Sequence, residues 1–297
     1  MTESPTSRAA VMGLGSIGSR MAARLHGAGI PTTLWNRSVR AVPALEPLDL
    51  RRAATPADAA IEADFIILAL TDDEAVRGVI TAADGVLAGT HSRAVIIDTS
   101  TIRPQTAREM HSAAGAVGVG YIDAPLTGGA ERAAAGTLTL LCGGDPGVFE
   151  RAVPIMQNLA TLIEHFGPPG SGQIAKAVNQ VILAGALLGV AEGVAMAEAG
   201  GLDAGHLVDV LKEGAAASWV LSNRAQWMVD RSFPPAGRMA LHLKDLKIAL
   251  DLARLSGQLL PGATLVMGMQ EALSSAGYGD EDISALIRYF RSSPQAT

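Results

Sequence analysis

The chain has 297 residues, enough for two domains at ~150 residues each, and only 4% are aromatic against 33 glycines, so the core must be aliphatic and closely packed. Its 23 basic and 29 acidic residues give a net charge of −6 with no Lys/Arg block, which excludes a nucleic-acid or anionic-membrane surface as the main business of the chain and points to a small-molecule partner. A single cysteine and six histidines without metal spacing exclude a disulfide scaffold and a Cys/His zinc site.

The N-terminal MTESPTSRAA is polar and lacks a signal-like apolar stretch. The longest apolar run, Val181 to Ala191, is 11 residues, short of the ~20 that span a bilayer, so a soluble cytoplasmic protein is expected. Strands are expected at Ala9–Gly13, Thr32–Trp35, Phe65–Leu70, Ala94–Asp98, Gly120–Asp123, Thr137–Cys142 and Leu162–His165. Ala-rich stretches between them are long enough for crossover helices, which predicts a parallel sheet covered on both faces. The Gly167-Pro168-Pro169-Gly170-Ser171-Gly172 segment breaks this pattern, and the expected domains are 1–166 and 167–297. Beyond it, Gln173 to Gly200 reads as one long helix and the rest as helices punctuated by Gly and Pro.

The first strand runs into Gly13-Leu14-Gly15-Ser16-Ile17-Gly18 and then a helix. Strand, glycine turn and helix in this order provide a tight turn, close approach to a pyrophosphate and free N–H groups at a helix start. The second strand ends at Trp35-Asn36-Arg37-Ser38, where the ribose-reading residue belongs, and no Asp or Glu occurs between Gly13 and Glu46. A cation with hydrogen-bond donors suits a 2′-phosphate, so NADP(H) is expected, the alternative being NAD(H) with Arg37 a solvated loop residue. Leu70 at the end of the third strand, Thr71 just after it, and Thr101 are assigned to the same cofactor site. Asp98-Thr99-Ser100-Thr101 also reads as a hydroxyl-capped helix start ahead of Pro104.

Tyr121 to Gly129 ends another strand with a hydroxyl, Thr127, followed by Gly128 and Gly129, a turn able to hold a carboxylate. Lys176 is the one cation in its helical segment, with Asn179 or Gln180 placing an amide on its face. Cys142, His165 and His242 read as structural, and Trp219 as either a pocket aromatic or core packing.

Together these motifs resemble the β-hydroxyacid dehydrogenase family, of the 3-hydroxyisobutyrate dehydrogenase and tartronate semialdehyde reductase kind. The resemblance rests on five ordered motifs: Gly13–Gly18, Asp98–Thr101, Asp123–Gly129, Gly170–Asn179 and Leu243–Asp245. It implies an α/β Rossmann-type N-terminal domain, an all-α C-terminal domain and an active site in the cleft between them. It implies Lys176 as general acid/base, Thr127 and Gly128 as holders of a substrate carboxylate, and Asn179 as a substrate-bonding neighbour. Lys244 resembles the family lysine that reaches the site from the helical domain, and Asp245 its helix-orienting neighbour. An ordinary lysine near 10.4 is a poor base at neutral pH, so desolvation is expected to lower it. Thr127 stands where many members have Ser, and an aromatic that many carry near Gly237 is missing. An imine reductase and a non-catalytic cofactor-binding module are the alternatives. The small residues from Leu183 to Gly200 suit close packing between subunits, and a homodimer or homotetramer is expected.

Overall fold

A computed structural model describes residues 7–38 and 41–291. The chain divides into two compact units, Met1–Lys176 and Ala177–Thr297. The first contains β1 (Ala9–Met12), α1 (Gly18–Gly27), β2 (Thr32–Trp35), β3 (Arg51–Arg52), α2 (Pro56–Ala60), β4 (Phe65–Leu68), α3 (Asp73–Thr81), α4 (Val86–Gly89) and β5 (Val95–Asp98). It continues with α5 (Pro104–Gly115), β6 (Gly120–Asp123), β7 (Leu126–Thr127), α6 (Gly129–Ala135), β8 (Leu138–Gly144), α7 (Pro146–Met156), β9 (Ala160–His165) and the first turns of α8 (Ser171–Ala199).

The strands lie in the order β3-β2-β1-β4-β5-β6-β8-β7, with β9 also on β8. The first six are parallel in the doubly wound order, whose direction of winding reverses between β1 and β4. The expected parallel sheet is extended by antiparallel pairing of β8 with β6 and β7. Alternate residues of each strand enter opposite cores: Val11, Ile67 and Ile97 one, Met12, Ile66 and Ile96 the other. Continuous burial with a two-residue period is what a sheet covered on both faces requires. The strands β3 and β7 are two residues long, below the reach of any pattern, and β3 is an exposed edge of two arginines, a charge placement that discourages edge pairing. The first and third expected strands stop at Met12 and Leu68, so Gly13 and Leu70 belong to the turns that follow.

The expected hydroxyl cap ahead of Pro104 is not formed. The cap position of α5 is Arg103, and its N–H donates to Asp73 Oδ1 at 2.8 Å. The hydroxyls of Thr99 and Ser100 bind the end of β4 and its turn instead: Thr99 Oγ1 donates to Leu68 O (2.6 Å) and Ser100 Oγ accepts from Leu70 N–H (2.9 Å).

The second unit contains the rest of α8, then α9 (Ala204–Leu211), α10 (Trp219–Asn223), α11 (Ala225–Asp230), α12 (Met239–Leu255), α13 (Pro261–Leu273) and α14 (Arg288–Arg291). No strand occurs in it among the described residues, apart from a single bridge between Arg238 and Asp282. Its core is aliphatic, with Leu187, Met228, Met239, Leu246, Val266 and Leu286 fully buried. Arg224 lies between the Trp219 and Trp227 rings, 4.5 and 4.2 Å from their centroids, and its Nε faces buried Asp282 Oδ1 at 3.2 Å. Trp219, 43% exposed, is therefore a lid over that arginine. Among the described residues α8 alone is long and apolar enough to cross a membrane, a test that core helices of soluble proteins also pass.

Candidate active site

The three glycines of the first turn do three different things. Gly13 has φ +93°, and a Cβ there would meet Ala69 O at 2.4 Å, so only glycine allows β1 to turn this close to the strand after the winding reversal. A Cβ on Gly18 would lie 1.9 Å from Gly13 O, so the start of α1 sits directly on the turn. A Cβ on Gly15 would meet nothing within 4 Å, which leaves open space beside the backbone. No side chain caps α1, and its first turn holds no acidic residue, so its N–H groups and positive dipole end are available to an anion. The open side of Gly15 and this uncapped helix start fit the pyrophosphate of a dinucleotide.

Asn36 fastens this turn to the end of β2. Its Oδ1 accepts from Leu14 N–H (3.0 Å) and its Nδ2 donates to Ser38 O (2.8 Å) and Ser38 Oγ (3.1 Å). Arg37 and Ser38 are exposed, and at the helix entry Leu14 is buried, Ser16 exposed and Ile17 half-buried. Ser16 O and Oγ accept from Arg20 at 2.6 and 3.2 Å. Leu70 lies against Gly13, Thr71 is exposed with its hydroxyl on Asp72 Oδ2 (2.8 Å), and Thr101 is half-buried. The structure thus gathers Gly13 to Gly18, Asn36 and Leu70 at the winding reversal between β1 and β4, where open α/β sheets bind ligands.

Further along the same carboxyl edge of the sheet lies Asp123, which sequence spacing gave no role. Its carboxylate is fully buried at the end of β6, beside its register partner Asp98 on β5. Asp123 Oδ1 accepts from Gly170 N–H (2.8 Å) and Oδ2 from Gln173 N–H (3.0 Å), so it binds the first turn of α8. Burial pushes its carboxyl up to about 7, opposed by those two backbone bonds and aided by the negative Asp98. Asp98 accepts from Ser100 N–H (3.0 Å) and from the Tyr121 hydroxyl (2.9 Å), and burial holds that phenol well above its usual range. The Gln173 side chain completes the junction: Oε1 accepts from Ile102 N–H (3.1 Å) and Nε2 donates to Ser100 O (2.9 Å). Glycine makes this contact possible, since a Cβ on Gly172 would lie 2.2 Å from Leu141 O. Lys176, one turn further along, is 8% exposed.

Thr127 is half-buried in β7, opposite Thr139, and Gly128 (φ +121°) and Gly129 (φ +71°) follow it into α6. On α8 beyond Lys176, Asn179 Nδ2 donates to Gln180 Oε1 (2.8 Å). Gln180, 5% exposed, donates in turn to Asp245 Oδ2 (2.7 Å), and Lys244 Nζ lies 3.1 Å from Asp245 Oδ1. Of the two adjacent amides, Gln180 is committed to α12 and Asn179 is the more exposed. Cys142 is buried, its thiol pushed up to about 12, and so stays protonated. His165 bonds Gly144 O (2.8 Å) and His242 pairs with Gln270, which gives both of them structural work.

Residues 8–167 match the NAD-binding domain of 6-phosphogluconate dehydrogenase, and residues 170–290 match the family described as the NAD-binding domain of NADP-dependent 3-hydroxyisobutyrate dehydrogenase. The chain belongs to the β-hydroxyacid dehydrogenase family. An NAD-dependent L-serine dehydrogenase of Pseudomonas aeruginosa is 34% identical over 95% of this chain and 97% of its own. A 3-hydroxyisobutyrate dehydrogenase of the same organism is 32% identical over 95% of this chain and 98% of its own. The solved 3-hydroxyisobutyrate dehydrogenase of Mycobacterium tuberculosis with L-serine matches with a TM-score of 0.85 at 32% identity, covering 97% of this chain and all of that one. This β-hydroxyacid dehydrogenase is accordingly an oxidoreductase that binds a nicotinamide dinucleotide.

Proposed function

We propose that the protein is a cytoplasmic NADP(H)-dependent enzyme that interconverts a small β-hydroxy acid and its semialdehyde or keto acid. The observation that carries the reading is Lys176, a buried cation one turn into a helix whose start is bonded to the sheet. L-serine and 3-hydroxyisobutyrate, named with the relatives, share a carboxylate and a β-hydroxyl, and the proposed roles follow that shared chemistry. Lys176 Nζ donates a proton to the carbonyl oxygen in reduction and accepts the hydroxyl proton in oxidation. Thr127 Oγ1 and the Gly128 N–H hold the carboxylate, and the Thr127 methyl narrows the space around it. Asn179 bonds the substrate near Lys176, because Gln180 is engaged with Asp245. When bound, the nicotinamide supplies or takes up the hydride.

The turn at Gly13–Gly18, with Leu70, Thr71 and Thr101, holds the cofactor, and Lys244 adds a positive charge from α12. Exposed Arg37 and Ser38, with no carboxylate between Gly13 and Glu46, favour a 2′-phosphate over a free ribose hydroxyl. We propose a second copy of the chain as its partner. Gly185, Gly189 and Gly193 leave one face of α8 open, and Ile182 (68% exposed) and Met196 (79% exposed) extend it in both directions. A groove of about 690 Å³ lined by Gly189, Gly193, Met196 and Leu207 continues this surface. A monomeric mass by light scattering refutes that assignment.

A panel of small β-hydroxy acids, including L-serine and 3-hydroxyisobutyrate, assayed with NADP⁺ and NAD⁺ tests the catalytic reading. Turnover of at least one β-hydroxy acid with a lower KM for NADP⁺ is expected. Turnover only with NAD⁺, or activity on cyclic imines alone, overturns it.

A further inference from the structure

The buried carboxylate of Asp123 makes its bonds outside the sheet that carries it. It sits at the carboxyl end of β6, fully buried beside a second buried carboxylate, Asp98, an arrangement that costs free energy unless both are well bonded. Its two carboxylate oxygens accept from one target, the backbone N–H groups of Gly170 and Gln173 at the start of α8. These N–H groups are among those that a helix start leaves without intrahelical partners, and a negative charge there also meets the positive end of the helix dipole. A carboxylate borrowed from a strand almost fifty residues earlier therefore caps the helix that carries Lys176.

We propose that Asp123, in its ionised form, is the positioning residue that sets the place and direction of Lys176. The proposal rests on the reading of Lys176 as the acid/base group. Three surroundings make the linkage stiff. A Cβ on Gly143 would lie 2.8 Å from Asp123 Oδ1 and 2.8 Å from the Ser171 and Gly172 nitrogens, so strand and helix backbones meet without slack. Gly170, at φ +91°, turns its N–H toward the carboxylate through a backbone shape that other residues resist. Gln173 ties the same turn to Ser100 and Ile102 through its side chain. From Gln173 to Lys176 is three residues, so both lie on neighbouring parts of one helical face, and any tilt of the first turn is passed to Lys176.

The charge state matters because both carboxylate oxygens accept N–H bonds. A proton on either oxygen makes it a poorer acceptor, and its bond to the N–H donor weakens. The titratable groups on the surrounding elements are Asp98 on β5, Tyr121 on β6, Cys142 on β8, Glu164 on β9 and Lys176 on α8 itself. Burial, aided by the negative Asp98, pushes the Asp123 carboxyl up to about 7, which brings this weakening into the neutral range.

The test uses Asp123→Asn in the full chain, read three ways. Hydrogen exchange of the peptide spanning 170–176 is expected to rise at least tenfold relative to wild type at pH 8. NADPH affinity, measured by fluorescence titration, is expected to stay within about twofold. With 3-hydroxyisobutyrate or L-serine as substrate, kcat is expected to fall tenfold or more, and the acid limb of the kcat profile near pH 7 to flatten. If the Asn variant does not fold, Gly143→Ala, which wedges the same junction while keeping the carboxylate, is expected to raise exchange at 170–176 and lower kcat. Unchanged exchange at 170–176 in a folded Asp123→Asn protein, or a kcat within twofold of wild type with the acid limb intact, overturns the proposal. Lys176→Ala separates the two readings: if it keeps turnover, the acid/base assignment fails, while the exchange result still decides whether Asp123 holds the helix.

Discussion

Replacing Gly15 and Gly18 separately by alanine divides binding from folding within one turn. At Gly18 the added carbon would stand 1.9 Å from Gly13 O and 3.1 Å from Ala69 Cβ. Relief to a tolerable carbon–oxygen contact of ~3.3 Å moves the start of α1 by more than ~1 Å. Overpacking of this kind costs about 1–3 kcal/mol, or a fall in Tm of roughly 3–10 °C for a chain of this size. At Gly15 the added carbon meets no atom within 4 Å, and the backbone is outside the left-handed region, so stability stays within about 0.5 kcal/mol of wild type. We propose that a pyrophosphate approaches the backbone from this open side. Loss of one charge-assisted bond to an anion, ~1.5–3 kcal/mol, weakens NADPH binding by about 10–100-fold. Thermal unfolding and NADPH fluorescence titration measure the two effects. A Gly15→Ala protein that binds NADPH as wild type does, or a Gly18→Ala protein with an unchanged Tm, refutes the division.

Three further outcomes follow from other parts of the molecule. Arg37→Ala is expected to raise the KM for NADPH by about 10-fold or more and that for NADH by much less, because a 2′-phosphate is the group an exposed guanidinium would bond. Equal changes for the two cofactors contradict that assignment. Asp123, raised from 3.8 to about 7 in the folded chain, favours folding below about pH 4 and loses that contribution as pH rises to about 7. Wild type should therefore lose stability relative to Asp123→Asn between pH 4 and 7, by on the order of 3–4 kcal/mol, in urea unfolding at a series of pH values. Parallel curves for the two proteins contradict the raised carboxyl. Arg224→Met leaves fully buried Asp282 without its cation and is expected to cost about 3–5 kcal/mol, seen as a lower Tm by tryptophan fluorescence. A Tm within 2 °C of wild type would show that Asp282 does not depend on Arg224.

The doubly wound half of the fold was legible because its signals are local. Strands such as Ile66–Leu68 and Val95–Ile97 are apolar runs bounded by turns, and the Gly13–Gly18 turn has a spacing that few other structures need. The apolar stretch from Gln173 to Gly200 likewise announced α8, with ends displaced by a residue or two. Contacts between segments distant in sequence were not legible. Asp123 and Gln173 were both in view inside motifs, yet nothing in their spacing shows that one carboxylate bonds the other's N–H. The same holds for Gln180 and Asp245, sixty-five positions apart, whose bond assigns the two neighbouring amides to different tasks. The hydroxyls of Thr99 and Ser100 illustrate the converse. Locally they look like helix caps, but the adjacent end of β4 and its turn offer a carbonyl and an N–H, and these bonds form instead.

The central claim is that Lys176 moves the proton while the rest of the site holds cofactor and substrate. Its most direct measurement is a single-turnover experiment on Lys176→Ala, following NADPH absorbance after the enzyme is mixed with NADP⁺ and the best β-hydroxy acid of the panel. Hydride transfer is predicted to slow by a factor of about 10²–10⁴, the usual contribution of a general acid/base, while NADPH affinity stays within about twofold of wild type. Transfer within a few-fold of the wild-type rate would contradict the account.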